Sequence, residues 1–177
     1  MTVLETLLER NASVASEHET LPNLPGLNLC IVTCPDPRVD PAHVFGLQPG
    51  EAAVVRAAAG RVSPIVIQQL AFLSATGADY GQAPDTVELL LMTHTHCGIA
   101  NFVRADRRGA LAAFLGCEED ELDARAVTDP REAVRVDVSL LADNPLIPAS
   151  VAVTGVVYDV ERGLVEVVER RAPLRTS

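Results

Sequence analysis

Val3, Leu4, Leu7, Leu8 and Val14 recur near the amino terminus at the spacing of one helix face. This pattern predicts an amphipathic helix over residues 2–14, within a helical arm spanning 1–20. Leu21-Pro-Asn-Leu-Pro-Gly26 interrupts it, because prolines and glycine do not continue a helix, and the segment predicts a connector. The period then changes. Leu27–Thr33 is a short, nearly continuous apolar run, the pattern of a strand buried on both faces.

Short apolar runs and helical segments alternate from there on. Glu51–Arg56 predicts a second strand, Thr86–Thr93 a third and Ser150–Asp159 a fourth. Between them, Asp40–Gly46 predicts one or two helical turns, with Asp40 as N-cap and Pro41 in the first position. Ser63–Ser74 predicts a longer helix, capped by Ser63, opened by Pro64 and ended by Gly77. Residues 106–116 and 130–142 predict two more. Glu161-Arg-Gly163 makes a turn, after which Leu164–Val168 returns as an antiparallel strand at the edge. Strand, crossover helix, strand is the signature of an α/β fold. The expectation is a mainly parallel, doubly wound sheet of four strands plus an antiparallel edge strand, with helices on both faces. No repeat or boundary interrupts the pattern, so residues 1–177 read as one domain, long enough to bury its own core.

Composition narrows the function classes. At 48% apolar residues, disorder is excluded. With four Phe, two Tyr and no Trp, the core must rest on Val, Leu, Ile and Ala. The formal charge is -10, with 14 arginines, no lysine and 24 acidic residues. Such a surface repels a phosphate backbone, which argues against nucleic acid as a partner. No apolar run approaches the roughly 18 residues of a membrane span, and the acidic start of the chain lacks the basic region of an export signal. The expected location is cytoplasmic. There, four cysteines serve metal binding or catalysis more readily than disulfides.

Two motifs carry the chemistry. Cys34-Pro-Asp-Pro-Arg38 follows the first strand, and His94-Thr-His-Cys97 follows the third. Sites in open parallel sheets form at the carboxyl ends of the strands, so topology brings residues about sixty apart to one edge. Thiolate and imidazole are ligands that zinc prefers, and one turn can aim both His94 and Cys97 at a single ion. Cys34 completes a three-donor set. Three protein donors leave a fourth position for water, the arrangement of a catalytic rather than a closed structural site. Asp36, two residues from Cys34, can reach either the metal or Arg38. Cys30 and Cys117 read as small buried hydrophobes. His96 reads as a solvent-facing turn residue, with proton transfer as the alternative, and His18 and His43 read as surface residues.

Cys34-x-Asp36-x-Arg38, followed some sixty residues on by His94-x-x-Cys97-Gly98, resembles the paired signature of the β-class carbonic anhydrases. Val54-Val-Arg-Ala-Ala-Ala-Gly-Arg-Val62 is similar to that family's Arg-Asn-Ala-Gly-Gly stretch. The likeness covers roughly residues 27–168, at the size of the small, short-chain subgroup. It implies four parallel strands with an antiparallel fifth, assembled as homodimers or multiples of dimers, the N-terminal helix packing across a partner subunit. It implies one Zn2+ per chain, ligated by Cys34, His94 and Cys97. Asp36 either joins them in a closed state or pairs with Arg38 and frees the fourth position, which makes Asp36 and Arg38 catalytic. The implied activity is reversible hydration of carbon dioxide to bicarbonate by hydroxide that the zinc generates. Alternatives are hydrolysis of carbonyl sulfide or carbon disulfide, which are linear and apolar like carbon dioxide, or a non-catalytic zinc-binding protein. A cysteine redox protein is disfavoured by the absence of C-x-x-C. The chain departs from the family at Ala57 and Ala59, where Asn and Gly are usual, and at His96, where Asp or a small residue is usual. Ala59 matters if the backbone there needs a positive φ.

Overall fold

Each apolar run of the sequence becomes a strand of one sheet. The computed structural model of the chain describes residues 1–104 and 106–172, and the part of the single-domain expectation that falls on 173–177 lies outside them. In chain order the elements are α1 (Val3–Ala15), β1 (Leu29–Thr33), α2 (Pro41–Phe45), β2 (Ala52–Arg56) and α3 (Pro64–Asp79). There follow β3 (Glu88–His94), α4 (Arg108–Leu115), α5 (Pro130–Ala142), β4 (Ala152–Asp159) and β5 (Leu164–Arg171). The strand order is β2-β1-β3-β4-β5, with four parallel strands and β5 antiparallel to β4. This is the predicted architecture.

The right-handed rule for parallel crossovers explains where the helices lie. The chain steps from β1 to β2 in one direction across the sheet. It steps from β2 to β3, and from β3 to β4, in the other. Connections of opposite sense fall on opposite faces. Accordingly α3 and α5 share a face, where Val66 and Leu70 join Val134, Val138 and Leu141 over Cys30, Val32, Leu89, Leu91 and Val153. Short α2 meets the other face, its Val44 packing against Cys34, Val39, Met92, Val156 and Tyr158. Both faces carry helix, unequally.

α5 comes close to β4 because Gly155 has no side chain. A Cβ there would lie 2.8 Å from Val138 Cγ2 and 2.9 Å from Val134 Cγ2. Gly155→Ala is therefore expected to overpack this contact at a cost of about 1–3 kcal/mol. The check is a lower urea midpoint with an unchanged slope. An unchanged midpoint would show that α5 yields without cost.

Several boundaries differ from expectation. α3 runs through Gly77 to Asp79. Gly77 stays helical and lies buried beside the Gln82 side chain, so the helix stops later. Ser63 holds the N-cap position of α3 but makes no capping hydrogen bond through its hydroxyl. Asp40, by contrast, caps α2 as expected, its Oδ1 accepting from the Ala42 N–H at 2.9 Å. β5 continues past Val168 to Arg171, since pairing with β4 resumes beyond an irregularity at Gly155/Val156.

α1 opens with a capping box. Thr2 Oγ1 accepts from the Glu5 N–H at 3.2 Å, and Glu5 Oε2 accepts from the Thr2 N–H at 2.7 Å. None of its residues is buried, and the stripe of Val3, Leu4, Leu7 and Leu8 stays exposed. Among the described residues, no helix is long and apolar enough to cross a membrane.

Candidate metal centre

β1 and β3 are parallel neighbours in register, Thr33 beside Met92, so both deliver their carboxyl ends to one edge. Strand order reverses between them, which makes this the switch point where α/β sheets open a crevice. β1 ends at Thr33 and passes directly to Cys34. Asp36 Oδ1 then accepts the Arg38 backbone N–H at 3.0 Å, capping a single 3-10 turn over Pro37–Val39. β3 ends on His94 itself, one residue later than the sequence indicates. His96 takes a φ of 54°, which turns the chain so that Cys97 comes back toward His94. As a result, the donor atoms of Cys34, His94 and Cys97 all lie within 4.8 Å of one another.

The electrostatics of these three residues favour a cation. His94 is buried, and its Nδ1 lies 2.9 Å from the Thr95 carbonyl oxygen. A carbonyl only accepts, so Nδ1 carries the hydrogen and Nε2 keeps the lone pair. That Nε2 is buried and has no hydrogen-bond partner among the described residues, a costly arrangement unless a positive centre meets it. A hydrogen bond from the Cys97 thiol holds the Cys34 thiol below the usual thiol range, outweighing burial. The Cys97 thiol, as donor of that bond, is pushed up. Two sulfurs and one imidazole nitrogen converge here, a donor set suited to zinc.

Asp36 stands on Arg38. Arg38 donates through Nε to Oδ1 at 2.9 Å and through Nη2 to Oδ2 at 2.7 Å, a bidentate pair. The guanidinium holds the Asp36 carboxyl well below the usual carboxylate range. Arg38 Nη2 also donates to the His96 carbonyl at 3.2 Å, so one side chain ties the two donor loops together. The sequence left Asp36 two partners, and the structure places it on this one.

The turn after β2 closes the site from beneath. Gly60 has a φ of 68°, and a Cβ there would lie 2.5 Å from the Met92 carbonyl oxygen and 3.3 Å from the Cys34 nitrogen. Only glycine fits. Ala59 precedes it with a φ of 58°, so the backbone does need the left-handed conformation, which costs an L-residue about 1–2 kcal/mol. Ala57 is extended and unstrained. Arg56 was not singled out in the sequence, where only its place in the Val54–Val62 stretch marked it. It donates to the Cys34 carbonyl at 3.0 Å and to Asp40 Oδ2 at 2.7 Å, which braces the loop.

The remaining candidates fall outside the donor set. His96 is exposed, with Nε2 3.5 Å from Glu161 Oε1. His18 and His43 are also exposed. Cys30 is buried in the sheet, where desolvation pushes its thiol up to about 11. Cys117 is half-buried beside α4, and all four cysteines are free. Beside Cys34 and Asp36 opens a cavity of about 420 Å³, walled by Ala58, Ala59, Ile99, Phe102, Leu111 and Phe114. Its walls are almost wholly apolar.

A family model described as carbonic anhydrase matches residues 29–165. β-Carbonic anhydrase 1 of Mycobacterium tuberculosis is 31% identical over 170 residues, covering 92% of this chain and 96% of that protein. A carbon disulfide hydrolase of an Acidianus species is 31% identical over 156 residues, covering 75% of this chain and 73% of that protein. Among solved structures, the carbonic anhydrase of Streptococcus mutans aligns with a TM-score of 0.75 at 33% identity, covering 96% of this chain and 99% of that one. Sheet order, paired donor loops and these similarities agree, and the chain belongs to the β-carbonic anhydrase family.

Proposed function

We propose that this chain is a zinc-dependent carbonic anhydrase that interconverts carbon dioxide and bicarbonate. The observation that carries this is the three-donor group of Cys34, His94 and Cys97, whose Cys34 lines an apolar cavity together with Asp36. Those three residues would hold one zinc, and the buried, unpartnered Nε2 of His94 fits such an ion. When bound, zinc supplies a Lewis acid that makes water acidic enough to furnish hydroxide near neutrality.

The chain's own residues do the rest. Ile99, Phe102 and Phe114 receive a small uncharged molecule and exclude bulk water from it. The Thr95 carbonyl fixes the His94 ring in one tautomer. Arg38 holds Asp36, and with its carboxylate engaged there the fourth position of a bound zinc would be left to solvent. In this role Asp36 and Arg38 belong to the catalytic machinery.

The carbon disulfide hydrolase relative favours a second reading, hydrolysis of a sulfur analogue in the same cavity. Carbon disulfide and carbonyl sulfide share the linear, apolar shape of carbon dioxide. Stopped-flow hydration of carbon dioxide, run beside an assay for sulfide release, separates the two. Rapid hydration is the expected result. Sulfide release without hydration would overturn the first reading in favour of the second, and neither activity would leave a zinc-binding protein without turnover.

Assembly and setting belong to the same proposal. Residues 1–177 act as one domain, and four free thiols suit the reducing cytoplasm. The exposed stripe of α1 requires cover, and a second copy of the chain provides it. Light scattering at micromolar concentration is expected to return a dimer or a multiple of it. The double variant Leu4→Asp, Leu8→Asp should return a smaller species. A monomer mass for the unaltered chain would reject the dimer.

A further inference from the structure

Arg61 and Asp137 form a buried ion pair that no step of the proposed chemistry uses, each side chain only 1% exposed. Arg61 donates through Nε and Nη2 to the two Asp137 oxygens, at 2.7 and 3.1 Å. The Val62 N–H donates to Asp137 Oδ2 at 2.9 Å. Arg125 Nη2 reaches Asp137 Oδ1 at 3.3 Å and donates to the Val62 carbonyl at 2.8 Å. A single carboxylate on α5 therefore holds both the side chain of Arg61 and the backbone of Val62. Among the described residues, no other carboxylate lies within 4.0 Å of either guanidinium.

Arg61 and Val62 directly follow a strained turn. Ala59 has a φ of 58°, a conformation that is costly for an L-residue and persists only where its surroundings fix it. The turn is fastened at both ends. Before it, the Ala57 N–H donates to the Thr33 carbonyl at 2.9 Å, which ties the chain to β1. After it, the fastening is Asp137. Between these two anchors, Ala58 and Ala59 supply part of the wall of the apolar cavity beside Asp36.

We infer that Asp137 is a positioning residue for the substrate cavity, holding the Ala59 turn in its left-handed conformation through Arg61 and Val62. Asp137 is not part of the cavity wall or of the donor group, and acts only through the turn. Charged hydrogen bonds suit this task, being the stronger and more directional class. The residue at position 59 sets how much the clamp matters. Glycine adopts the left-handed conformation at no steric cost, so a glycine there should need no clamp. The effect on catalysis rests on the carbon dioxide reading, whereas the effect on the turn does not.

Asp137→Asn keeps the size of the side chain and removes its charge. In the zinc-loaded protein it should raise KM for carbon dioxide about tenfold with kcat little changed, because a cavity wall binds substrate without touching the chemistry. A merely structural role would do the reverse, lowering the active fraction and the apparent kcat at an unchanged KM. Amide hydrogen exchange gives a readout independent of activity. The Gly60 and Arg61 N–H groups are bonded to the Ala57 and Ala58 carbonyls. Relative to the amides of β3, they should exchange about tenfold faster in the variant. In an Ala59→Gly background, the same substitution should change KM and that exchange ratio by less than about twofold. Should Asp137→Asn fail to fold, Arg61→Lys, which keeps the charge but cannot fork onto both oxygens, is expected to show the same pattern and the same rescue. An unchanged KM in the active enzyme, an unchanged exchange ratio, or equal effects with and without Ala59→Gly would overturn the inference. A chain without hydration activity would defeat the carbon dioxide reading alone, and the exchange ratio would still decide whether Asp137 holds the turn.

Discussion

Cys34→Ser is expected to leave the purified chain, supplied with zinc, holding less than roughly a tenth of an equivalent, with hydration activity lost in proportion. The Cys97 hydrogen bond holds the Cys34 thiol below the usual thiol range, which suits the sulfur to a cation. A serine hydroxyl neither ionises in this range nor offers the soft sulfur that zinc favours. Only His94 Nε2 and the Cys97 sulfur remain. Loss of a partner that merely supports a ligand costs about 10–100-fold in metal affinity, and loss of a donor itself must exceed that. The change is small in volume and Cys34 is buried, so circular dichroism should show the fold retained. Cys30→Ser and Cys117→Ser are the controls, since neither sulfur belongs to the donor group, and both should keep a full equivalent. Elemental analysis that finds a full equivalent in Cys34→Ser would reject the three-donor site.

Arg38→Ala should lower activity by about one to two powers of ten near neutral pH. The substitution removes the two charged hydrogen bonds that hold Asp36, and solvent around the half-exposed guanidinium keeps the effect toward the lower end of that range. Asp36 is then free to occupy the fourth position that the donor set leaves open. Hydroxide competes better for that position as pH rises, so the activity midpoint should move to higher pH in the variant. The stability effect has the opposite range. Because Arg38 depresses the Asp36 carboxyl, the pair contributes its full stability above the ordinary carboxylate range of about 4. That contribution disappears only as pH falls through the depressed value, so wild type and variant should converge in stability in strong acid. In an Asp36→Ala background, Arg38→Ala should have little further effect on activity, which a double-mutant cycle reads directly. Wild-type activity and an unchanged pH midpoint in Arg38→Ala would reduce the pair to a loop contact.

Much of the fold was legible because burial leaves a period in the chain. The run at Leu29–Thr33 is apolar on both faces because β1 lies inside the sheet, between β2 and β3. The helix around residues 130–142 was legible because its apolar stripe covers β3 and β4, and Pro130 stands where a helix can open. Gly77 shows the limit of such signals. Glycine stops helices when it takes a left-handed conformation, but here it stays helical, buried beside Gln82. The residue is identical in both roles, and only its neighbour across space separates them. Ser63 is a similar case: the N-cap position was correct, and the hydroxyl does not perform the expected task.

At the site, the sequence by itself named the three residues, Cys34, His94 and Cys97, that the structure brings together. Two motifs placed at the carboxyl ends of β1 and β3 must meet once those strands are neighbours, as the sheet order makes them. The tertiary structure alone decided which partner Asp36 takes, because the carboxylate reaches two and Arg38 is anchored by the His96 carbonyl from the other loop. It also decided that Arg61 would meet Asp137 at a separation of 76 residues. Local patterns record which side of an element faces the core, since every core residue shares that requirement. A buried charge needs one particular partner, and its position depends on how distant elements pack, which no run of neighbouring residues encodes.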